Sequence, residues 1–159
     1  MSSGIGYDSH RLAEGRPLII GGVRIESARG LDGHSDADVL THAVIDALLG
    51  AAGLGDIGEH FPDTEERWRG ADSIVLLQAV LALLTERGLA VVNVDCTLIM
   101  QAPKLAPHKA AIRARLAEAL RLDAGQVNVK ATTGEGMGFV GREEGIAALA
   151  IAELTRGER

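Results

Sequence analysis

"DADVLTHAVIDALLGAAG", residues 36–53, repeats its apolar positions at helical spacing and closes on glycines, so it reads as a helix. On either side of it the period changes. "GIGYDSH" (4–10) and "RPLIIGGVRI" (16–25) are short, β-branched and glycine-bounded, which predicts strands. Downstream, "ADSIVLLQAVLALLTERG" (71–88) predicts a second helix, with Ile74, Leu77, Leu81 and Leu84 as its buried stripe and Gly88 at its C-terminal stop. Strand "LAVVNVDCTLIM" (89–100), loop "QAPKLAPH" (101–108), helix "KAAIRARLAEALRL" (109–122) and strand "QVNVKATT" (126–133) follow. The third helix would bury Ile112, Leu116 and Leu120. Glycine-rich "GEGMGFVGREEG" (134–145) then leads into an alanine-rich stretch, "IAALAIAELTRG" (146–157), read as a last helix. Strands that alternate with helices predict an α+β fold: one domain over 1–159 with a single mixed β-sheet covered by α-helices. No repeat, low-complexity tract or linker interrupts it. The connection from Gly53 to Gly70 is long, and loops of that length are often functional.

Hydrophobic residues make up 47% of the 159 and aromatics only 3%, so the core must be built from Ala, Leu, Ile and Val. The net charge is −6, and Lys and Arg are scattered. Nucleic acid or an anionic membrane would need a basic face, so neither is an expected partner. An anionic substrate would need its positive charge supplied locally. A single cysteine, Cys96, excludes an internal disulfide and a cysteine-rich zinc site, and it reads as a small core residue on a strand face shared with Val92, Val94 and Leu98. "MSSGIGYDSH" is not a signal peptide, and no apolar run reaches the ~18–20 residues of a membrane span, so a cytoplasmic location is expected.

The ionisable residues gather at the edges of these elements. Asp8 and His10 are two apart on a strand and share a face. His42 sits between Val39 and Ile45 on the first helix. An acid and two histidines match a three-ligand zinc site with its fourth position open, although each residue alone is equally at home in a strand end or a core. Asp38 and Asp46 flank His42 at i−4 and i+4, where either could hold its imidazole, or Asp38 could simply favour the helix dipole. Ser35 and His34 precede the helix, as an N-cap or as an anion site. Asp56, His60 and Asp63 lie among the glycines of "GLGDIGEHFPDT" (53–64), and Lys104 stands in a proline-stiffened loop. In "ATTGEGMGFVGR" (131–142), threonines, Glu135 and glycines after a strand suggest a phosphate cradle with a hard-cation ligand, though not a P-loop.

"DSH" (8–10), "HSDADVLTH" (34–42), "GLGDIGEHFPDT", "QAPKLAPH" and "VKATTGEGMGFVGREEGIA" (129–147), in this order, resemble the family of 2-C-methyl-D-erythritol 2,4-cyclodiphosphate synthases over nearly the whole chain. The resemblance implies a reaction in which the 2-phosphate of 4-diphosphocytidyl-2-C-methyl-D-erythritol 2-phosphate attacks the β-phosphorus in line and CMP leaves. It implies that Asp8, His10 and His42 hold Zn²⁺ and that Glu135 ligates Mg²⁺ or Mn²⁺ between the phosphates. His34 and Thr133 would stabilise the developing charge, and Ser35 would contact phosphate. Asp56, Ile57 and Gly58 would fix the methylerythritol hydroxyls, in a pocket lined by Phe61, Pro62, Asp63, Thr64 and Glu65. Met100, Gln101, Ala102, Pro103, Lys104, Leu105 and Ala106 would hold the cytidine and its phosphates with Ala131, Thr132, Thr133 and Gly134. It also implies a homotrimer with sheets facing the threefold axis and active sites between adjacent subunits. Phe139 and Arg142 would line an axial cavity for an isoprenoid diphosphate.

Two departures from the family pattern stand out. Gly134 replaces a usual threonine, which should loosen that loop, and Glu143 replaces a usual glycine, which should place negative charge beside Arg142 and weaken an axial diphosphate ligand. Two other functions remain open from the residues alone. One is a zinc hydrolase that uses water at the open metal position, and the other is a non-catalytic nucleotide-binding module with a closed, four-ligand metal.

Overall fold

Strand β1 (Ser2–Glu14) has glycine at positions 4 and 6, and the partner that requires them is helix α1 (Val39–Ala52). A Cβ on Gly6 would collide with the carbonyl oxygen of Ala43, and one on Gly4 with the backbone of Ala47 and Ala51. Helix and strand therefore meet backbone to backbone, glycine against a row of alanines. The computed structural model describes residues 1–157; positions 158 and 159 of the expected domain lie outside the described residues.

Around this contact, β1, β4 (Arg29–Leu31), β5 (Leu89–Ile99), β6 (Val127–Thr132) and β7 (Gly145–Arg156) form one five-stranded sheet in the order β4-β1-β7-β5-β6. β5 and β6 run parallel and the other neighbours antiparallel, so the sheet is mixed, as the alternation of periods predicts. Helices α1, α3 (Ser73–Glu86) and α4 (Lys109–Leu120) cover one face of it. Apart from this sheet, the "RPLIIGGVRI" stretch folds on itself as a hairpin, β2 (Leu18–Ile20) and β3 (Val23–Ile25). Gly21 and Gly22 both have positive φ at its two-residue turn, the conformation that matches strand twist. Asp38 joins the hairpin to α1. Its buried carboxylate accepts from the N–H groups of Gly21 (2.8 Å) and Gly22 (2.7 Å) and, as the N-cap, from Thr41 N (3.0 Å) and Thr41 Oγ1 (2.8 Å).

The predicted helix at 146–157 is instead strand β7, paired on both sides with β1 and β5. Ile146, Ala148, Ala150, Ala152 and Leu154 point into the core, while Leu149 and Ile151 alternate outward. Alanine favours helix by propensity, but here small residues are needed because the strand runs beneath α1, and tertiary packing overrides propensity. The expected strand face also changes at one point. Val94, Cys96 and Leu98 share the buried side, but a bulge at Val92 turns that residue away and puts Val91 inward. Cys96 is a core residue as expected, and burial pushes its thiol up to about 12, which leaves it unreactive. The α3 stripe is as predicted, with Ile74, Leu77 and Leu84 buried and Leu81 half-buried. Among the described residues no helix is long and apolar enough to cross a membrane.

The glycine–alanine contact sets a stability prediction. Gly6→Val should lower the stability read from urea unfolding by about 3 kcal/mol, because backbone, not a flexible side chain, blocks the space. Gly125→Ala, which meets nothing within 4 Å, should stay within about 1 kcal/mol of the parent.

Candidate metal centre and substrate cleft

Past Gly6 the helix-facing side of β1 continues with Asp8 and His10, and the first turn of α1 brings His42 against them. His10 Nε2 lies 2.9 Å from Asp8 Oδ2, His42 Nδ1 lies 3.1 Å from the same oxygen, and the two nitrogens are 3.3 Å apart. Three donor atoms thus form a nearly equilateral triangle. Tetrahedral ligands at about 2.0 Å from a zinc ion stand about 3.3 Å from one another, so the triangle has the size of one face of such a site. These three residues are the one acid–histidine group among the described residues whose ligand atoms converge this closely.

The surroundings bias each group toward ligation. His10 Nδ1 lies 2.8 Å from the Asp32 carbonyl, which only accepts, so Nδ1 carries the hydrogen and Nε2 keeps a lone pair for a metal. His42 Nε2 lies 2.8 Å from Ser73 Oγ and 3.2 Å from Ser35 Oγ, which turns Nδ1 toward Asp8. Burial pushes the Asp8 carboxyl up, but hydrogen bonds and charge from His10 and His42 outweigh this and lower it to about 2. Burial likewise pushes His10 down, yet the Asp8 carboxylate raises it above its ordinary value. Neither aspartate that flanks His42 in sequence holds its ring. Asp38 is committed to the hairpin and helix cap, and Asp46 accepts from the Ile57 N–H at 2.8 Å. The residues that do serve the histidines, Asp32, Asp36 and Ser73, give no signal of spacing in the sequence.

The triad forms one wall of a cleft of about 480 Å³, within the range of small-molecule sites. His34, Ser35, Ile57, Gly58, Phe61, Pro62, Asp63 and Thr64 line it, joined by Gly33, Trp68 and Leu76, which the sequence reading did not single out. Helix α2 (Ile57–His60) breaks the long 53–70 connection and is capped by Asp56, whose carboxylate accepts from Glu59 N at 3.0 Å. Asp56 and Glu65 are not cleft-lining residues: Asp56 is exposed at the helix start, and Glu65 contributes its carbonyl to His34 Nε2 (3.1 Å) while its carboxylate pairs with Arg67. Phe61 packs edge-on against Trp68 with centroids 5.1 Å apart, which stiffens this wall. His60 is turned away, bonded to the Leu54 carbonyl at 2.8 Å.

The second set of predicted residues gathers elsewhere. Residues 100–106 and 131–135 lie at the C-terminal ends of the parallel strands β5 and β6 and are tied together, Met100 N to the Thr132 carbonyl (3.0 Å) and Gly134 N to Gln101 Oε1 (3.2 Å). Thr133 and Glu135 are exposed there, with Thr133 Oγ1 accepting from Glu135 N at 3.1 Å. Ala102, Lys104, Ala106, Ala131 and Thr132 are also exposed, Gln101 and Pro103 are half-buried, and the side chains of Met100 and Leu105 belong to the core. Between β1 and β6 stand β7 and β5, and three strand spacings of about 4.8 Å separate the two groups by roughly 14 Å. One chain does not bring Glu135 or Thr133 to the triad.

Both departures from the family pattern have a defined local setting. Gly134 N is bonded to Gln101, and a Cβ there would press on Gly141 N (2.7 Å) and the Met137 carbonyl oxygen (2.9 Å), so a side chain does not fit this loop conformation. Glu143 lies against Arg29 (3.4 Å), while Arg142 faces Glu144 (3.5 Å), so the added negative charge is already partnered within the chain. Phe139, beside Gly145 at the start of β7, is partly exposed with Arg142 nearby in the chain.

A family model described as the YgbB family matches residues 1–155. A 2-C-methyl-D-erythritol 2,4-cyclodiphosphate synthase from Synechococcus elongatus is 58% identical over 153 residues, covering 96% of either chain. A bifunctional enzyme IspD/IspF from Anaeromyxobacter dehalogenans is 60% identical over 98% of this chain, which spans only 40% of that relative's length. A solved 2C-methyl-D-erythritol-2,4-cyclodiphosphate synthase in its CDP-bound form superposes with a TM-score of 0.89 at 41% identity, covering 96% of this chain and 99% of the other.

The triangle of donors predicts stoichiometric uptake of one zinc ion per chain, measured by competition with a chromogenic chelator. His42→Ala should weaken that affinity at least ~100-fold while circular dichroism stays that of the folded parent.

Proposed function

The chain belongs to the YgbB family, and from that premise we propose that it is a 2-C-methyl-D-erythritol 2,4-cyclodiphosphate synthase over residues 1–159, acting on 4-diphosphocytidyl-2-C-methyl-D-erythritol 2-phosphate. The observation that carries the reading is the Asp8–His10–His42 triangle on the wall of a cleft beside His34 and Ser35. Three donors converge rather than four among the described residues, which favours an open site over the closed one of a structural metal.

In the proposed reaction an oxygen of the substrate's 2-phosphate forms a bond to the β-phosphorus. The bond from that phosphorus to the bridging oxygen breaks, and CMP leaves with the electron pair. The nucleophile is part of the substrate and already anionic, so no protein base is needed. The chain's work is to fold the substrate and hold two phosphates close. Asp8, His10 and His42 would hold Zn²⁺ and Glu135 would hold Mg²⁺ or Mn²⁺, which when bound would supply the positive charge that a chain of net −6 lacks. His34, steadied by the Glu65 carbonyl, and Ser35 address the phosphate oxygens beside the triad. Ile57 and Gly58, with Asp56 at the rim, hold the polyol, and Phe61 to Thr64 exclude water from it. Residues 100–106 and 131–134 hold the cytidine end, with Thr133 and Glu135 at the phosphates.

That division calls for two subunits. The triad and the cytidine loops lie on different edges of one sheet, and the sheet face opposite the helices carries a patch suited to association. There Ile5 (70% exposed) pairs across the ladder with Ile151 (53%), and Tyr7 (53%) with Leu149 (37%). An uncovered apolar sheet face of this kind supports a homotrimer packed around its sheets, with each site shared between neighbours.

Phosphorus NMR with the cytidyl substrate and Mg²⁺ tests the activity. CMP with a cyclic diphosphate, lost on zinc removal and restored by zinc, is the expected result; an open-chain diphosphate would indicate a hydrolase, and unchanged substrate a binding module. By light scattering the parent should be a trimer and Ile151→Glu a monomer without turnover, while zinc affinity stays within about threefold of the parent.

A further inference from the structure

His42 contributes Nδ1 to the triad, and an imidazole ligates through one nitrogen only when the hydrogen sits on the other. The group that decides this for His42 is a buried hydroxyl. Ser73 Oγ, at the first position of α3 and fully buried, lies 2.8 Å from His42 Nε2. A hydroxyl can donate or accept, so the contact alone does not set the tautomer. Asp36 removes the choice. Its Oδ1 takes the Ser73 hydroxyl hydrogen in a short bond, its Oδ2 accepts from Ser73 N at 3.0 Å, and its own N–H is bonded to the Ala71 carbonyl at 3.1 Å. A carboxylate only accepts, so the Ser73 hydrogen is committed to Asp36 and the Ser73 oxygen faces His42 as an acceptor. Ser35 Oγ, at 3.2 Å from the same nitrogen, has no such anchor: it accepts from Ala37 N at 3.3 Å and its own hydrogen is free to rotate.

We propose that Ser73, oriented by Asp36, is the positioning residue of the metal centre, fixing the hydrogen of His42 on Nε2 so that Nδ1 is the ligating atom. The inference rests on the metal-centre reading above and adds to it two residues that touch neither metal nor substrate. The polarity runs one way, from His42 Nε2–H to Ser73 to Asp36. An imidazole held in this way need not select its tautomer when a metal binds, and the carboxylate at the end of the chain strengthens the ring as a donor.

Zinc affinity, by chelator competition, is measured in the parent and in Ser73→Ala and Ser35→Ala. The proposal expects a loss of ~10–100-fold in Ser73→Ala and under about threefold in Ser35→Ala. In the zinc-loaded proteins the His42 Nε2–H proton should give a slowly exchanging downfield NMR signal in the parent and Ser35→Ala, lost to solvent exchange in Ser73→Ala. A parent that binds no zinc would overturn the metal-centre reading and this inference with it. A parent that binds zinc, with Ser73→Ala unchanged in affinity and in the proton signal, would overturn this inference alone. So would a loss carried by Ser35→Ala instead. Asp36→Ala supplies a second route: the freed Ser73 hydroxyl can then donate to Nε2, so zinc affinity should fall although Ser73 is intact, and an unchanged affinity counts against the proposal.

Discussion

The backbone contact between β1 and α1 is the constraint from which the rest of the molecule follows. With no side chain at Gly4 or Gly6, the strand lies directly against Ala43, Ala47 and Ala51. The same closeness requires alanines along β7 beneath the helix, and it sets the distance at which the next residues of β1 meet α1. Asp8 and His10 continue the face of Gly4 and Gly6, and His42 lies one residue before Ala43. A packing arrangement made of absent side chains therefore also fixes the separation of the three donor atoms of the triad. Core and site share one geometric cause, so volume added in the core is felt at the triad.

Much of this was legible in the residues. Asp8 and His10 at i and i+2 on a strand, with a histidine in the following helix, foreshadow the triad, and helical period identifies α1, α3 and α4. What the sequence hid has physical reasons. The stretch at 146–157 is rich in alanine for packing, not for propensity, so a helix-former became a central strand. A one-residue bulge at Val92 reversed a face that strict alternation assigned. Ser73 and Asp36 escaped because their roles depend on α1 meeting α3, which no local pattern encodes. Asp38 was open between the histidine and the helix start, and it serves the second because its carboxylate has a nearer use, the four donors of a hairpin turn and a helix start.

In the proposed reaction an acidic chain must keep its own carboxylates away from a phosphorylated substrate or put cations between them. In the cleft, Asp8 is held ionised by the two histidines. Elsewhere the acids are neutralised by neighbours: Glu65 by Arg67, Glu143 by Arg29, and Asp95 by Lys130 at 2.7 Å. These exposed pairs add little to stability. Their effect is on the field that an approaching anion meets.

Asp38 has one more consequence. Its two oxygens bond at once to the β2–β3 turn and to the first turn of α1, and the carboxylate is wholly buried. Undocking either element would leave that charge with half its donors in an apolar setting, a cost large enough to discourage partial opening. The hairpin and the start of α1, His42 included, therefore belong to one cooperative unit, and the amides of Gly21 and Gly22 exchange with solvent only when the edge that carries the triad itself comes apart.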